Sequence, residues 1–299
     1  MKRGLIMGTV ALLAVLTGCY FDGPCIHGTG PVVSQDREIT GFSAVTNTGS
    51  FEVQVSLSDS FGVEVEAQEN LLPVIETYVS GNSLIIKTRN GTCIGPASPV
   101  LVNISLPFIE ELKLTGSGKL ELDIAKGDFF ECSNAGSGFV RVDTVMAGTM
   151  AIGNSGSGTI FVDESFVDEI SLVQSGSGIV EAAAVYEPLD ASIHHSSSGR
   201  IRSEIVDGLF VEGILSGSGR IDLTGEAEEA DFTLNASGRI DALDMMARDV
   251  KATITGSGKI FVYATDFLEA TITGSGDIIY RGNPTISYRI TGSGDVKQY

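Results

Sequence analysis

The sequence predicts an all-β protein folded as a parallel β-helix with about 20 residues per coil. Three observations predict it. A Gly-Ser-Gly mark, or a near variant, recurs ten times at intervals of 18 to 21 residues. Its corners are Ser117-Gly118, Ser137-Gly138, Ser157-Gly158, Ser177-Gly178, Ser198-Gly199, Ser218-Gly219, Ser237-Gly238, Ser257-Gly258, Ser275-Gly276 and Ser293-Gly294. The residue two places after each of these glycines is aliphatic in all ten copies, from Leu120 to Val296. Between marks, stretches such as Lys259-Ile260-Phe261-Val262-Tyr263-Ala264 repeat with period two, the pattern of strands with one buried face.

A unit this short cannot bury its own core, but stacked copies can. Stacking sets each aliphatic residue over the last at about 4.8 Å. Glycine permits the tight or left-handed backbone of a corner. The serines are placed to form a hydroxyl ladder there, each bonding a neighbour or a free backbone group. A β-propeller is the competing architecture. Its blades need about 40–45 residues, and even and odd copies show no alternation.

Taken in chain order, residues 1–18 read as a lipoprotein signal peptide. Lys2 and Arg3 precede an apolar run over residues 5–16, too short to span a bilayer comfortably. Leu16-Thr17-Gly18-Cys19 resembles the lipobox of bacterial lipoproteins. That resemblance makes Cys19 the lipid anchor, with diacylglycerol on its thiol and an acyl chain on its amine. Several chains anchor stably where one is marginal. Tyr20 stands where many inner-membrane lipoproteins carry Asp, so the resemblance points to the outer membrane, with the periplasmic or surface face left open. An ordinary secretory signal with a chance cysteine is the alternative. Residues 19–35 read as a lipidated tether. Residues 36–299 read as a single β-helix, with 36–110 as divergent N-terminal coils or a cap and 111–299 carrying the ten repeats. Within 36–110, residues 51–57 and 61–65 alternate cleanly, and residues 83–87 and 100–104 follow as strands. Asn70-Leu71-Leu72-Pro73 reads as a turn or a single helical turn.

Composition sets the outer limits. Of 299 residues 37 are glycine and 42% are hydrophobic, which argues against disorder, and the glycines have no collagen period. The net charge is −19; losing Lys2 and Arg3 with the signal leaves 17 basic against 38 acidic residues, or −21. No nucleic-acid partner is expected at that charge. An oxidising envelope permits a disulfide. Spacing alone does not fix the pairing. The loop-like contexts of Cys25 and Cys93 favour that pair, which leaves Cys132 free and buried.

Glu69-Asn70-Leu71-Leu72, then Ser83-Leu84-Ile85-Ile86, the serial Gly-Ser-Gly-x-Ile and Tyr280-Arg281-Gly282-Asn283-Pro284 occur in this order. Together they resemble the family described as "putative auto-transporter adhesin, head GIN domain", over about residues 36–299. The resemblance implies a right-handed β-helix with a non-enzymatic, adhesin-type role, and it supplies no catalytic motif. No membrane-barrel translocator is legible in the chain. The reading is therefore a non-enzymatic, lipid-anchored cell-envelope protein that binds a glycan, an envelope protein or another surface ligand. The alternatives are an envelope scaffold or stress-sensing interaction module, and a polysaccharide-active β-helix enzyme.

Four candidate features follow from the columns. Arg200, Arg220, Arg239 and Lys259 directly follow the corner glycine in successive coils. Stacked, they repel by roughly 1 kcal/mol per pair even in water. They form either a stripe for anionic glycan or lipid, or a ladder compensated by Asp222 and Asp241 two residues on; compensation is the favoured reading. Asn134, Asn154, Gln174 and His195 occupy one otherwise aliphatic column and are expected to form an interior amide ladder, each bonding the next. His194 and His195 face opposite sides of a strand, so no metal is expected there. Glu226, Glu228, Glu229 and Asp231 beside Gly225 read as a solvated turn. No nucleophile elbow, phosphate loop or zinc spacing appears, so no catalytic residue and no cofactor is assigned. At the C-terminal coil, either self-association or a cap formed by residues 280–288 is expected, because an uncovered strand edge invites pairing.

Overall fold

The computed structural model describes residues 25–95 and 99–299. Residues 1–18, read above as a signal peptide, and Cys19, read as the lipid anchor, lie outside the described residues. The repeat region winds as a parallel β-solenoid of about nine turns. Five turns are single bent strands of 15 or 16 residues: β9 (Lys119–Asn134), β10 (Phe139–Asn154), β11 (Thr159–Gln174), β14 (Arg200–Leu215) and β15 (Arg220–Leu234). Two more run on through the corner to its first glycine, β16 (Arg239–Gly256) and β17 (Lys259–Gly274). The remaining turns are split, into β12 (Ile179–Tyr186) with β13 (Asp190–His195) and β18 (Asp277–Arg281) with β19 (Thr285–Gly292). The strand β20 (Asp295–Gln298) starts a further turn.

Register is kept along the aliphatic column. Leu120, Val140, Ile160, Val180 and Ile201 are successive partners, and Ile221, Ile240, Ile260, Ile278 and Val296 continue the line. All but Val296 are fully buried. Complete burial of an aliphatic side chain stabilises by about 1.5–3 kcal/mol, so this column alone is a large part of the driving force. The core also adjusts volume between coils. Gly213 lies directly against Phe232 of the next coil, and a Cβ there would run into the ring. The two 18-residue repeats arise at a bulge, where Ala242 pairs Val262 but Met246 pairs Tyr263.

The N-terminal region is both coil and cap. The strands β2 (Ala44–Asn47) and β3 (Glu52–Leu57) form the first coil wall, parallel to β8 (Glu111–Leu114) and β9. The intervening chain folds over the end of the core. There, β6 (Ser83–Thr88) lies parallel to β2, and β7 (Leu101–Leu106) parallel to β3. Antiparallel pairing then ends the solenoid winding: β5 (Ile75–Ser80) on β6, β4 (Gly62–Gln68) on β7, and β1 (Val32–Asp36) on β4. A single 3-10 turn, Leu72–Val74, follows Leu71. The disulfide Cys25–Cys93 ties the start of the described chain to the cap.

At the other end the expected cap is absent. Residues 280–288 do not fold over the core; they belong to β18 and β19 and complete the last turn. Thr285–Gly292 pairs with β17 in register from Phe267–Thr285 to Gly274–Gly292, so backbone hydrogen bonding holds this segment in the wall. Tyr288 is 66% exposed.

Candidate ligand-binding groove at the repeat corners

Each corner is built from backbone stacked on backbone. The corner glycine's carbonyl accepts the N–H of the residue after the next corner glycine: Thr159 N–H donates to Gly138 O (3.1 Å), Arg220 N–H to Gly199 O (3.1 Å), Lys259 N–H to Gly238 O (3.1 Å). A Cβ on Gly138, Gly158 or Gly178 would strike the carbonyl of the glycine one coil back. Glycine is required here by the close approach of backbone to backbone. The serines do not form the expected continuous ladder: among the described corners, one hydroxyl pair, Ser237 and Ser257, is within hydrogen-bonding distance at 3.2 Å. Backbone bonds already hold the coils together, and the hydroxyls face outward.

Inside the corner, the polar column is real but its bonding differs from expectation. The amides do not bond one another. Asn134 Nδ2 donates to Gly138 O (3.0 Å) while its Oδ1 accepts from Gly136 N–H (2.9 Å). Asn154 does the same with Gly158 O (2.8 Å) and Gly156 N–H (3.1 Å). A short amide bonds its own turn, the usual behaviour of Asn beside a turn, and Asn154 Nδ2 also donates to Ile179 O of the next coil (3.2 Å). His195 spans two coils, with Nε2 2.7 Å from Gly199 O and Nδ1 2.9 Å from Gln174 O. Gln174 Nε2 donates to Gly176 O (3.1 Å), and the longer side chain leaves its buried Oε1 without a partner among the described residues. His194 points outward, toward Ser192 Oγ at 3.1 Å and Glu212 Oε2 at 3.4 Å.

An eleventh corner escaped the repeat count. Asn47-Thr48-Gly49-Ser50-Phe51 has the same clasp, with Asn47 Nδ2 donating to Phe51 O (3.0 Å) and Gly49 N–H to Asn47 Oδ1 (3.0 Å). Phe51 can replace glycine because the cap, not another glycine corner, lies behind it: Glu52 N–H donates to Val100 O.

Outside the corners runs a groove. Its first stretch is lined by Ser117, Ser137 and Ser157 on one wall and Lys119, Phe139 and Thr159 on the other. Its second stretch, about 600 Å³, has Ser177, Ser198, Ser218, Ser237 and Ser257 facing Ile179, Arg200, Arg220, Arg239 and Lys259 across a glycine floor. The four cations are stacked in register. Compensation is present and runs between coils as well as along the strand. Asp222 pairs Arg220 and lies 3.4 Å from Arg200 Nε. Asp241 pairs Arg239 and lies 3.0 Å from Arg220 Nη2. Asp277 lies 3.4 Å from Lys259 Nζ. Arg239 also sits 3.9 Å over the Phe261 ring. None of these aspartates lines the groove.

Elsewhere, Glu226, Glu228, Glu229 and Asp231 lie within β15 rather than in a solvated turn. Arg248 reaches Glu228 at 2.7 Å, and Lys251 reaches Asp231 at 2.6 Å. A hydrogen bond to Asp249, with Glu228 close by, holds the Arg248 guanidinium above its ordinary range, and the hydrogen bond to Asp231 does the same for the Lys251 ammonium. Cys132 is free and buried; burial pushes its thiol up to about 12, which keeps it protonated and unreactive. A cleft of about 710 Å³ beside the cap, lined by Asp36, Glu64, Asn103, Asp123 and Arg141 among others, had no sequence signal, because its residues come from separated strands.

A family model described as "Putative auto-transporter adhesin, head GIN domain" matches residues 41–202 and 186–284. Among solved structures, a "putative adhesin" from Parabacteroides merdae is similar at 22% identity, covering 93% of this chain and 100% of its own, with a TM-score of 0.56. A "putative adhesin" from Parabacteroides distasonis is similar at 22% identity, covering 92% and 100%, with a TM-score of 0.55. At that identity the likeness concerns the fold. No curated protein matches the chain. The matched residues run from the first corner, at Asn47, to the last full turn, so the chain belongs to the family described as "putative auto-transporter adhesin, head GIN domain".

Proposed function

We propose that this chain is a non-enzymatic, lipid-anchored envelope protein that presents a rigid β-solenoid and binds a surface ligand along its corner groove, in the manner of an adhesin. The observation that carries the reading is the groove itself. Its second stretch repeats one wall, floor and wall over five coils. Repetition along an axis suits an extended ligand, since solenoids commonly bind along such surfaces. Membership of an adhesin-type family supports the same reading. Anchoring through Cys19 puts the lipid six residues before Cys25, so the capped end of the rod faces the membrane and the last turn faces away. The acidic surface keeps the rod soluble and apart from like-charged neighbours.

Two measurements test this. Replacing Cys19 by Ala should move the chain from the membrane fraction to the soluble fraction; retention in the membrane would overturn the anchor. Incubation of the intact chain with envelope polysaccharides should give retention of polymer with no new reducing ends; release of reducing ends would make it an enzyme instead.

A further inference from the structure

We infer that the stretch of groove between Ile179 and Lys259 binds an extended acidic polysaccharide carrying one carboxylate per sugar. This deepens the proposed function by naming the ligand class for that groove, and it rests on that reading.

The lining of this stretch holds four cations and no carboxylate, in a protein of net charge −19. Asp277, which meets Lys259, directly follows Gly276 and ends the cation column in register with Lys259. Asp222 and Asp241, which pair the arginines, stand two residues further along each strand, in the neighbouring outward column. They occupy one side of each arginine. Arg220 spends Nε and Nη2 on Asp222 and Asp241, and Arg239 spends Nε and Nη2 on Asp241. Among the described residues, Nη1 of Arg200, Arg220 and Arg239 has no hydrogen-bond or ion-pair partner. The guanidinium groups are thus held in register by their pairs while keeping donors for an anion. Such holding lowers the entropy cost of binding.

Spacing then selects the polymer. The cations repeat once per coil, at about 4.8 Å. A nucleic-acid duplex carries one charge per about 1.7 Å of axis, far denser than the ladder. In a 1,4-linked uronate chain each sugar carries one carboxylate and spans roughly the rise of one coil. Its hydroxyls then meet the serine wall, since Ser198, Ser218, Ser237 and Ser257 can each donate and accept. The glycine floor lets the flat rings approach the backbone.

The test is titration calorimetry on the intact chain in detergent with a galacturonate hexamer, its fully methyl-esterified form, and a single-stranded DNA oligomer. The acidic hexamer should bind, and esterification should weaken binding at least tenfold. Binding should also weaken as salt is raised. Arg220→Gln with Arg239→Gln should lose at least tenfold, whereas Arg248→Gln, outside the groove, should change nothing. Ser218→Asp, which leaves every Arg–Asp pair intact, should also lose at least tenfold, so a folding defect in the arginine variant cannot mimic the result. Equal binding of the ester, tighter binding of DNA, no binding of the acidic hexamer, or unchanged affinity in Ser218→Asp would each overturn the inference. If Cys19→Ala releases the chain and another surface polymer is retained while the acidic hexamer fails, the inference fails and the broader reading stands.

Discussion

The two halves of the corner column solve one problem differently. From Asn47 to His195 the interior residue, Leu114 apart, is polar and clasps the turn from within. From Leu215 to Ile272 it is buried hydrocarbon. The outer mark barely changes, yet the backbone does. In the last three corners the strand runs on to the first glycine of the mark, and Gly256, Gly274 and Gly292 take φ of +144°, +130° and +132°. No first glycine in the clasped half has positive φ. A side-chain clasp and a left-handed first glycine therefore do not share a corner, and the corners at Leu114, Leu215 and Leu234 close with neither, Ala236 even standing in the first glycine's place. Polar groups inside are tolerated where they bond the turn, and hydrocarbon inside needs no such partner.

The largest expected effect tests what the halves share. Gly158→Ala and Gly258→Ala both drive a Cβ into the backbone of the preceding coil. Each should cost about 3 kcal/mol or more by denaturant unfolding. Gly153→Ala, with open space around it, should be neutral or stabilise by up to about 1 kcal/mol. A loss confined to one half would break the claim that backbone contact dictates glycine in both.

Next come the interior residues, where the halves should diverge. Ile254→Asn buries an amide beside a corner already closed by the left-handed Gly256 and should cost about 3 kcal/mol. Asn154→Leu removes two bonds to its own turn and one to the next coil, and should cost about 1–3 kcal/mol. If Ile254→Asn is neutral, the interior solutions are interchangeable and the comparison loses its force.

These variants also mark what was legible in the sequence. The corners and the Leu120–Val296 column were, because glycine, serine and aliphatic residues each answer one steric demand repeated in every coil. The clasp was half legible: Asn134 and Asn154 stood out, but whether an amide reaches its own turn or the next coil depends on backbone geometry. The corner at Asn47 was hidden by Phe51 in the glycine position and by the cap inserted after it. The cleft at Asp36 and Asp123 was invisible, since strand pairing across the cap assembles it. Cys25 and Cys93 had a local context that favoured them, and the structure joins them.

The smallest expected effect lies on the outer face. Arg220→Gln leaves Asp222 beside Arg200 and Asp241 beside Arg239. Its side chain is 38% exposed, so thermal unfolding should register a change of at most about 1 kcal/mol, shrinking with added salt. A cation ladder that matters little to stability is free to serve a ligand, which is the point of contrast with the first stretch of the groove, where Phe139 and Thr159 follow Lys119 in the same column.

Continuity of the rod across the junction between the halves underlies all of this. Spin labels on the exposed corner serines measure it most directly by pulsed dipolar spectroscopy. With one label at Ser137 and the second at Ser218, Ser237 or Ser275, the corners are four, five and seven coils apart. At about 4.8 Å per coil the distances should be about 19, 24 and 34 Å. A linear rise through the His195 junction is the predicted result. Distances that level off, or that fall as the corners separate, would contradict a single stacked solenoid and with it the continuous groove.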